Sequence, residues 1–245
     1  MKLIEKNSKY ISKWLSLYKD PDSTYKKDIK DKRERGKNNY DHILENLLEE
    51  QDFLCAYCMR KISNKNSTIE HFIGQECIDD DGVAIGKRED TNYQNMLAVC
   101  LGNYCKKITK NQEKLHCDSS RSNFQSQDKP NYRPKLFISP LDKRQMKQIG
   151  FTRTGVLFYG ALDRKNETND EKEIRYDLEE VLNLNCVNLQ EGRKRVIRII
   201  DSSLGRHNYD KKFAQKELAF WRAKNNEEYC QVAICKLEKF LKGIK

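Results

Sequence analysis

The feature that most constrains the fold is Cys55-Ala-Tyr-Cys58, two cysteines separated by two residues. Two thiolates at this spacing lie on one tight turn and can share a tetrahedral Zn²⁺, which needs four ligands. Cys100 and Cys117 are the predicted second pair, and Cys105 competes for either position. A redox-active pair is the alternative, but the βαβ pattern of thioredoxin-like proteins is absent around the motif. The sequence therefore predicts a structural zinc site.

Composition narrows the class of protein. The 245 residues carry a formal net charge of +10 and include nine cysteines, an odd number. No apolar run approaches the roughly 18 residues that cross a bilayer, and Lys and Ser interrupt the first residues, so we expect neither membrane span nor signal peptide. We therefore expect a cytoplasmic protein with reduced thiols. The basic charge favours a polyanionic partner, first of all nucleic acid.

Apolar periodicity divides the chain into four parts. We predict an N-terminal helical segment (1–50), a cysteine-bearing core (51–128), a linker with a β-hairpin around Arg153-Thr154-Gly155 (129–170) and a C-terminal helical region (171–245). Residues 75–92 lack periodicity and predict an inserted surface loop. The helices rest on apolar residues at helical spacing, namely Tyr40, Ile43, Leu44, Leu47 and Leu48; Leu178, Val181 and Leu182; Val196, Ile199 and Ile200; Phe213, Leu218 and Trp221; Ile234, Leu237 and Leu241.

A pair of chemically active residues lies between the two halves of the predicted zinc site. Thr68-Ile-Glu70-His71 reads as the end of a strand. Adjacent strand residues point to opposite faces, so Glu70 and His71 can serve one centre only if the strand ends or bends there. Glu70 could then bind a hard divalent cation, while neutral His71 accepts a proton from water. Taken alone, such a histidine is more often structural.

Two later phrases extend this pattern: Asn92-Tyr-Gln-Asn95-Met-Leu-Ala-Val-Cys100 and Leu115-His116-Cys117-Asp118-Ser-Ser-Arg121. Together with the CxxC and Glu-His motifs they resemble the zinc-containing HNH endonucleases. The resemblance implies an α+β fold. Its centre would be a compact ββα-metal nuclease core around one catalytic Mg²⁺ or Mn²⁺, stabilised by a zinc site of four cysteines and flanked by N- and C-terminal helices.

The resemblance also implies roles for individual residues. His71 would be the general base, Asn95 would hold the loop that orients it, and Glu70 and Asp118 would bind the catalytic metal. The family usually has His or Asn at the position of Asp118, so His116 is the alternative ligand. Arg121 either contacts a phosphate or is an ordinary solvated arginine. The interval from Cys100 to Cys117 exceeds the usual CxxC, which leaves the role of Cys105 open.

A closer resemblance covers about two thirds of the chain, from Gln51 to Arg195, through the phrases EQDFLCAYC, IEHFIGQ, YQNMLAVC, HCDSSR and VLNLN. These are similar to the PtuB-like HNH nuclease subunit of Septu-type anti-phage defence systems, whose relatives also accompany retrons. The resemblance implies a co-encoded ABC-type or SMC-like ATPase of the PtuA type, and in the retron case a reverse transcriptase with its multicopy DNA. By itself, VLNLN predicts a helix end with Asn183 and Asn185 as caps or turn residues.

Two classes of function remain open from the sequence. The first is a metal-dependent endonuclease that hydrolyses phosphodiester bonds in antiviral defence, with DNA favoured over RNA such as tRNA. The second is a zinc-stabilised nucleic-acid-binding or docking subunit with a weak or inactive centre, suggested by the missing final His. Basic residues from Arg193 to Arg198 either follow a nucleic-acid backbone or form a solvated face.

Overall fold

The structure is a computed structural model that describes residues 1–31, 33–34, 37–79, 81–102, 115–125 and 133–243. Helices account for 52% of the structure and strands for 10%. Within the described ranges there are three two-stranded antiparallel sheets. No helix of this part of the chain combines the length and apolar character that a membrane crossing requires. Cys105 lies outside the described residues.

The N-terminal part contains two helices and a short hairpin. In chain order its elements are α1 (Ser8–Lys19), a π-helical turn (Tyr25–Asp31), β1 (Arg33–Glu34), β2 (Lys37–Asn38) and α2 (Asn39–Glu50). Helix α2 confirms the predicted amphipathic helix, and its apolar side chains face the core. The helix ends before Phe53 because Asp52 and Phe53 have φ angles of 54° and 58°, outside the helical region. The β1–β2 hairpin was not predicted.

The cysteine-bearing part is built on one strand pair and one helix. Strands β3 (Ser67–His71) and β4 (Met96–Cys100) pair antiparallel, with His71 opposite Met96 and Ser67 opposite Cys100. Helix α4 (Cys117–Gln125) follows β4 in the described chain and contacts it. Helix α4 also lies beside the end of β3, because Arg121 of α4 donates to the His71 carbonyl.

The prediction of a plain surface loop at 75–92 was wrong in part. Helix α3 (Ile85–Glu89) forms there, followed by a 3-10 turn at Tyr93–Asn95. A Cβ atom on Gly86 would lie 2.2 Å from the carbonyl oxygen of Gly74, so only glycine permits this approach. The segment is therefore packed against the end of β3, and its last residues face the candidate site.

The rest of the described chain contains the predicted β-hairpin and the predicted C-terminal helices, and a short helix that was not predicted precedes the hairpin. Its elements are α5 (Lys143–Gln148), β5 (Ile149–Phe151), β6 (Leu157–Tyr159), α6 (Asn169–Tyr176) with a π-helical turn (Asp177–Val181), α7 (Val187–Arg206), α8 (Lys211–Ala223) and α9 (Cys230–Gly243). Gly155 turns the hairpin with φ 84°. One predicted core position was wrong, because Ile199 is 51% exposed and Ile197 takes its place on the buried face of α7.

The buried apolar residues form two clusters. The first joins α1, α2, β3, β4 and the residues around the cysteines to the end of α6. The second lies between α7, α8 and α9, and Met59 and Tyr229 belong to it. Met59 immediately follows Cys58, so the two clusters meet beside the cysteines.

Candidate metal centre and active site

Four cysteines from separate parts of the sequence meet in the interior. Cys55, Cys58, Cys100 and Cys117 are all buried, and their sulfur atoms all lie within 4.8 Å of one another. The Sγ–Sγ distance is 3.9 Å from Cys55 to Cys117 and 3.7 Å from Cys58 to Cys100. Zn–S bonds of about 2.3 Å at tetrahedral angles place sulfur atoms about 3.8 Å apart. The four-cysteine cluster could therefore hold a metal ion such as zinc, as the sequence predicted.

The local backbone explains why these four thiols converge. The Met59 amide donates to the Cys55 carbonyl at 3.0 Å, which closes a tight turn over residues 55–58. The Ala56 amide donates to the Ala98 carbonyl of β4 at 3.1 Å, which fixes that turn beside the strand. The Cys100 amide donates to Cys55 Sγ at 3.3 Å. Backbone N–H groups directed at sulfur favour the thiolate form that binds metal.

The thiols influence one another's protonation. Hydrogen bonds from the other cluster thiols lower the pKa of Cys100, with Cys117 contributing most. Burial raises the pKa of Cys58 and of Cys117. Without a cation, four buried thiolates would repel one another, so the cluster retains protons. A metal ion would replace these protons and couple its binding to folding.

His116 belongs to the cysteine cluster. Its Nδ1 atom lies 3.2 Å from Cys117 Sγ and 3.9 Å from Cys100 Sγ, and its side chain is buried. Its contacts are thus with sulfur. Of the two alternative ligands for a catalytic cation, the structure places Asp118 beside Glu70 and directs the His116 ring at the thiols.

Glu70 and Asp118 form a pair of carboxyl groups close to the cysteine cluster. Asp118 influences the protonation of Glu70, and Arg121 forms an ion pair with Glu70. Burial raises the pKa of Glu70 to about 8, with Asp118 adding to the rise and Arg121 opposing it. Two carboxyl groups in one partly buried place favour a cation between them, and oxygen donors suit Mg²⁺ or Mn²⁺.

Arg121 is buried, whereas a phosphate contact would require an accessible side chain. Its side chain is 2% exposed, and besides Glu70 it donates to the carbonyl oxygens of His71 and Pro134, both at 3.0 Å. A guanidinium so enclosed cannot reach a bound polyanion in this arrangement. Neither sequence alternative, phosphate contact or solvated residue, describes this side chain; it joins α4 to the end of β3 and fixes the Glu70 carboxylate.

Tyr57 is a buried residue of the cysteine turn, and the charges of Glu70 and Asp118 influence it. It lies between Cys55 and Cys58 in sequence, is fully buried, and its hydroxyl has no hydrogen-bond partner among the described residues. Burial raises the pKa of Tyr57 well above its usual value, and the charge of Glu70 adds to the rise. Tyr57 was not predicted from sequence. The available signal was its position between two cysteines that could bind a metal ion.

The His71 ring is fixed by the segment that follows α3. Its Nε2 atom lies 2.9 Å from the Asp90 carbonyl oxygen, and the edge of the Tyr25 ring packs on it at a centroid distance of 4.6 Å. A carbonyl only accepts, so Nε2 carries the proton and Nδ1 is left as the acceptor. Burial lowers the pKa of His71 to about 4, which keeps the ring neutral at pH 7. Neither Asp90 nor Tyr25 was predicted from sequence.

Asn95 holds the two loops around His71. Its Oδ1 atom accepts from the Ile73 amide at 2.7 Å, and its Nδ2 atom donates to the carbonyls of Ile73 and Glu89, both at 3.0 Å. Glu89 directly precedes Asp90, which binds the His71 ring. Asn95 therefore connects the chain after β3 to the segment that carries Asp90.

The side chains of Glu70 and His71 contact different neighbours. Glu70 meets α4, whereas His71 meets the residues after α3. Because β3 ends at His71, the condition that the strand stop there is met. The structure thus brings together Glu70, Asp118 and Arg121 as one group, and it joins His71 to Asn95 through the adjacent carbonyls of residues 89 and 90.

The VLNLN phrase supports the segment that carries Cys117. The Cys117 amide donates to the Leu182 carbonyl at 2.9 Å, and Asn183 Nδ2 donates to the Leu115 carbonyl at 2.7 Å. Asn185 pairs with the amide and carbonyl of Leu157 at 2.9 Å each. The sequence interpretation of the two asparagines as caps or turn residues missed these long-range contacts.

No protein-family model and no curated protein matches the sequence. The assignment of function therefore depends on the geometry above and on the motif resemblance.

Proposed function

We propose that this chain is a metal-dependent HNH endonuclease, an effector nuclease of the PtuB-like type. The ββα-metal core would consist of β3, β4 and α4. The observation that carries the proposal is the carboxyl pair formed by Glu70 and Asp118 beside a four-cysteine cluster, with a neutral histidine at the end of the same strand. A histidine can act as the general base in phosphodiester hydrolysis, and acidic oxygen donors can hold the cation that stabilises the developing charge.

The residues divide the chemistry between them. His71 accepts the proton of the attacking water at Nδ1, because its Nε2 proton is held by the Asp90 carbonyl. Asn95 maintains that orientation through the loop at Glu89. Glu70 and Asp118 would hold Mg²⁺ or Mn²⁺. When bound, the cation supplies positive charge that stabilises the developing charge on the phosphate and the leaving oxygen.

Zinc in the four-cysteine cluster would have a structural role. Four protein ligands fill a tetrahedral site and leave no open position for water. The cluster would hold the first turn of α4 against β4, and α4 carries Asp118 and Arg121. Loss of the ion would therefore also disturb the carboxyl pair.

DNA is the proposed substrate, and RNA such as tRNA is the alternative. The net charge of +10 supports either polyanion. The resemblance further supports a complex with a co-encoded ABC-type or SMC-like ATPase, and in a retron setting with a reverse transcriptase and its multicopy DNA. Co-expression and co-purification with the neighbouring ATPase tests this partner.

The competing function is a zinc-stabilised nucleic-acid-binding or docking subunit without activity. The missing family histidine at position 118 motivates it, and so does the ion pair of Arg121 with Glu70, which occupies one carboxylate. This function predicts zinc and nucleic-acid binding without cleavage in Mg²⁺ or Mn²⁺.

Substitution of the two alternative cation ligands tests the proposed centre. Asp118→Ala should lower plasmid cleavage by about 10²-fold or more, because it removes a cation ligand. His116→Ala should reduce cleavage less, since its ring faces the thiols. Asp163→Ala, an exposed carboxylate, is the matched control and should cleave like the parent. A larger loss for His116→Ala, with zinc retained, would show that His116 is the ligand.

A further inference from the structure

The outward face of α7 carries a line of arginines. Val196, Ile197 and Ile200 turn towards the second apolar cluster and are buried. The opposite side is exposed, and it contains Arg195, Arg198, Ile199, Ser202 and Arg206. At 3.6 residues per turn these positions fall on one side of the helix. We call Arg195, Arg198, Ser202 and Arg206 the arginine stripe.

The guanidinium groups of the stripe are not held in direct ion pairs by their neighbours. Within the part of the chain that the structure describes, no ion pair or hydrogen bond of their side chains is found. The nearby acidic residues have other partners: Glu191 pairs with Lys194 at 2.9 Å, and Asp201 pairs with Lys236 at 2.7 Å. The stripe therefore presents a net positive charge, although Glu191 interacts with Arg195 and Arg198 through space.

Residue type also separates α7 from the rest of the chain. Of the 47 basic residues in the chain, 15 are arginine, whereas four of the five basic residues in α7 are arginine. The guanidinium group of arginine presents a planar fork of donors that fits phosphate oxygens, and the ammonium group of lysine lacks this geometry. Of the four arginines in α7, Arg193 is buried and does not belong to the stripe. Ile199 places an exposed apolar side chain beside the stripe.

The stripe has a fixed relation to the candidate centre. Arg193, on the inner side of α7, donates to the Gly155 carbonyl at 2.6 Å and to the Leu184 carbonyl at 2.9 Å. Leu184 belongs to the same segment as Leu182, whose carbonyl receives the Cys117 amide. Helix α7 is thus tied through residues 182–185 to the start of α4, which bears Asp118.

We propose that the arginine stripe binds the phosphate backbone of double-stranded DNA and so holds a stretch of substrate away from the cleavage centre. From Arg195 to Arg206 the helix rises about 16 Å. Phosphates of one strand advance about 3.4 Å along the duplex axis, so the stripe is long enough to contact several. The inference rests on the proposed function only in taking DNA as the substrate.

Binding to a short fluorescein-labelled DNA duplex tests the stripe directly. The parent is the full chain with His71→Ala, which prevents cleavage during the measurement. R195A/R198A/R206A is compared with R144A/K147A/R153A, which removes the same charge from exposed positions on α5 and the β5–β6 turn. Fluorescence anisotropy gives Kd across a series of salt concentrations, and zinc content with circular dichroism establishes that each variant is folded.

The stripe variant should bind DNA roughly tenfold or more weakly than the control variant. The slope of log Kd against log salt concentration should be lower by about 3 in the stripe variant than in the control variant. Equal Kd and slope for the two variants, or no DNA binding by the parent, would overturn the inference. The outcomes separate it from the proposed function. If the wild type cleaves DNA but the stripe substitutions do not weaken binding, only the stripe proposal is contradicted. If the stripe substitutions weaken binding but the wild type never cleaves DNA, only the nuclease proposal is contradicted.

Discussion

The cysteine-bearing part and the α7–α9 part of this chain are stabilised in different ways. In the first, a two-stranded sheet and a short helix meet around four thiols and a set of polar contacts through Arg121 and Asn95. In the second, three helices bury apolar side chains against one another. A two-stranded sheet alone is marginal in water. The first part therefore depends on its specific side-chain chemistry in addition to the apolar residues of the first cluster, whereas apolar packing dominates in the second.

Loss of one thiol should have the largest effect and should separate the two parts. Cys55→Ser removes one of the four thiols of the candidate zinc site, and structural zinc in zinc-finger peptides contributes about 10–16 kcal/mol of apparent binding free energy. We expect zinc to fall from one ion per chain to almost none and β3, β4 and α4 to lose structure, while α7–α9 stay helical. Elemental analysis and hydrogen exchange measure both.

Cys77→Ser is the control for the thiol experiment, because Cys77 is buried but outside the cluster. It should keep zinc and the exchange protection of β3 and β4. A Cys55→Ser protein that also keeps both would contradict the metal assignment. Complete unfolding of α7–α9 in Cys55→Ser would show instead that the two parts fold as one unit.

A cavity in the helical part should give the next largest effect. Leu237 on α9 is fully buried in the second cluster, and Leu237→Ala should lower the free energy of unfolding by about 2–5 kcal/mol. Zinc content should not change. Urea unfolding followed by circular dichroism measures the loss. Val187→Ala, at a position 74% exposed, should stay within about 0.5 kcal/mol of the parent; a loss as large as that of Leu237→Ala would contradict the packing.

The link between the two parts should give a smaller but distinctive effect. Asn185→Ala leaves the amide and carbonyl of Leu157 unpaired and removes an acceptor of Arg193, which should cost about 1–3 kcal/mol. We expect zinc release and loss of helical signal to occur at more widely separated urea concentrations than in the parent. Asn188→Ala, exposed on α7, is the control. Coincident transitions in Asn185→Ala would mean that the link does not couple the parts.

The same contrast explains what the sequence could predict. Apolar periodicity located α2 and the three C-terminal helices, because one-sided burial leaves a repeating pattern in the residues themselves. It failed at Ile199, where β-branched neighbours at positions 196, 197, 199 and 200 fit two registers and only packing selects between them. The four cysteines were predictable because zinc chemistry favours thiolate ligands and the CxxC spacing, although the long interval from Cys100 to Cys117 left Cys105 as a competitor.

The polar surroundings of the candidate site were not predictable in this way. Arg121 was expected to contact phosphate or solvent, because nothing in its sequence neighbourhood shows that Glu70, 51 residues earlier, would pair with it. Asp90 acts through its backbone carbonyl, which carries no sequence signature. Leu182 supports Cys117 in the same manner. Tertiary contacts made by main-chain atoms become visible only when the fold is known.

Cleavage by a base-deficient variant tests the central claim most directly. Plasmid DNA and total tRNA are incubated in Mg²⁺ or Mn²⁺ with wild type, His71→Ala and the control His42→Ala, each with and without the proposed ATPase partner, and zinc is measured in every preparation. We predict cutting by wild type and His42→Ala, and a loss of about 10³-fold in His71→Ala with zinc unchanged. Cutting retained in His71→Ala, or no cutting by zinc-loaded wild type under any of these conditions, would contradict the nuclease proposal.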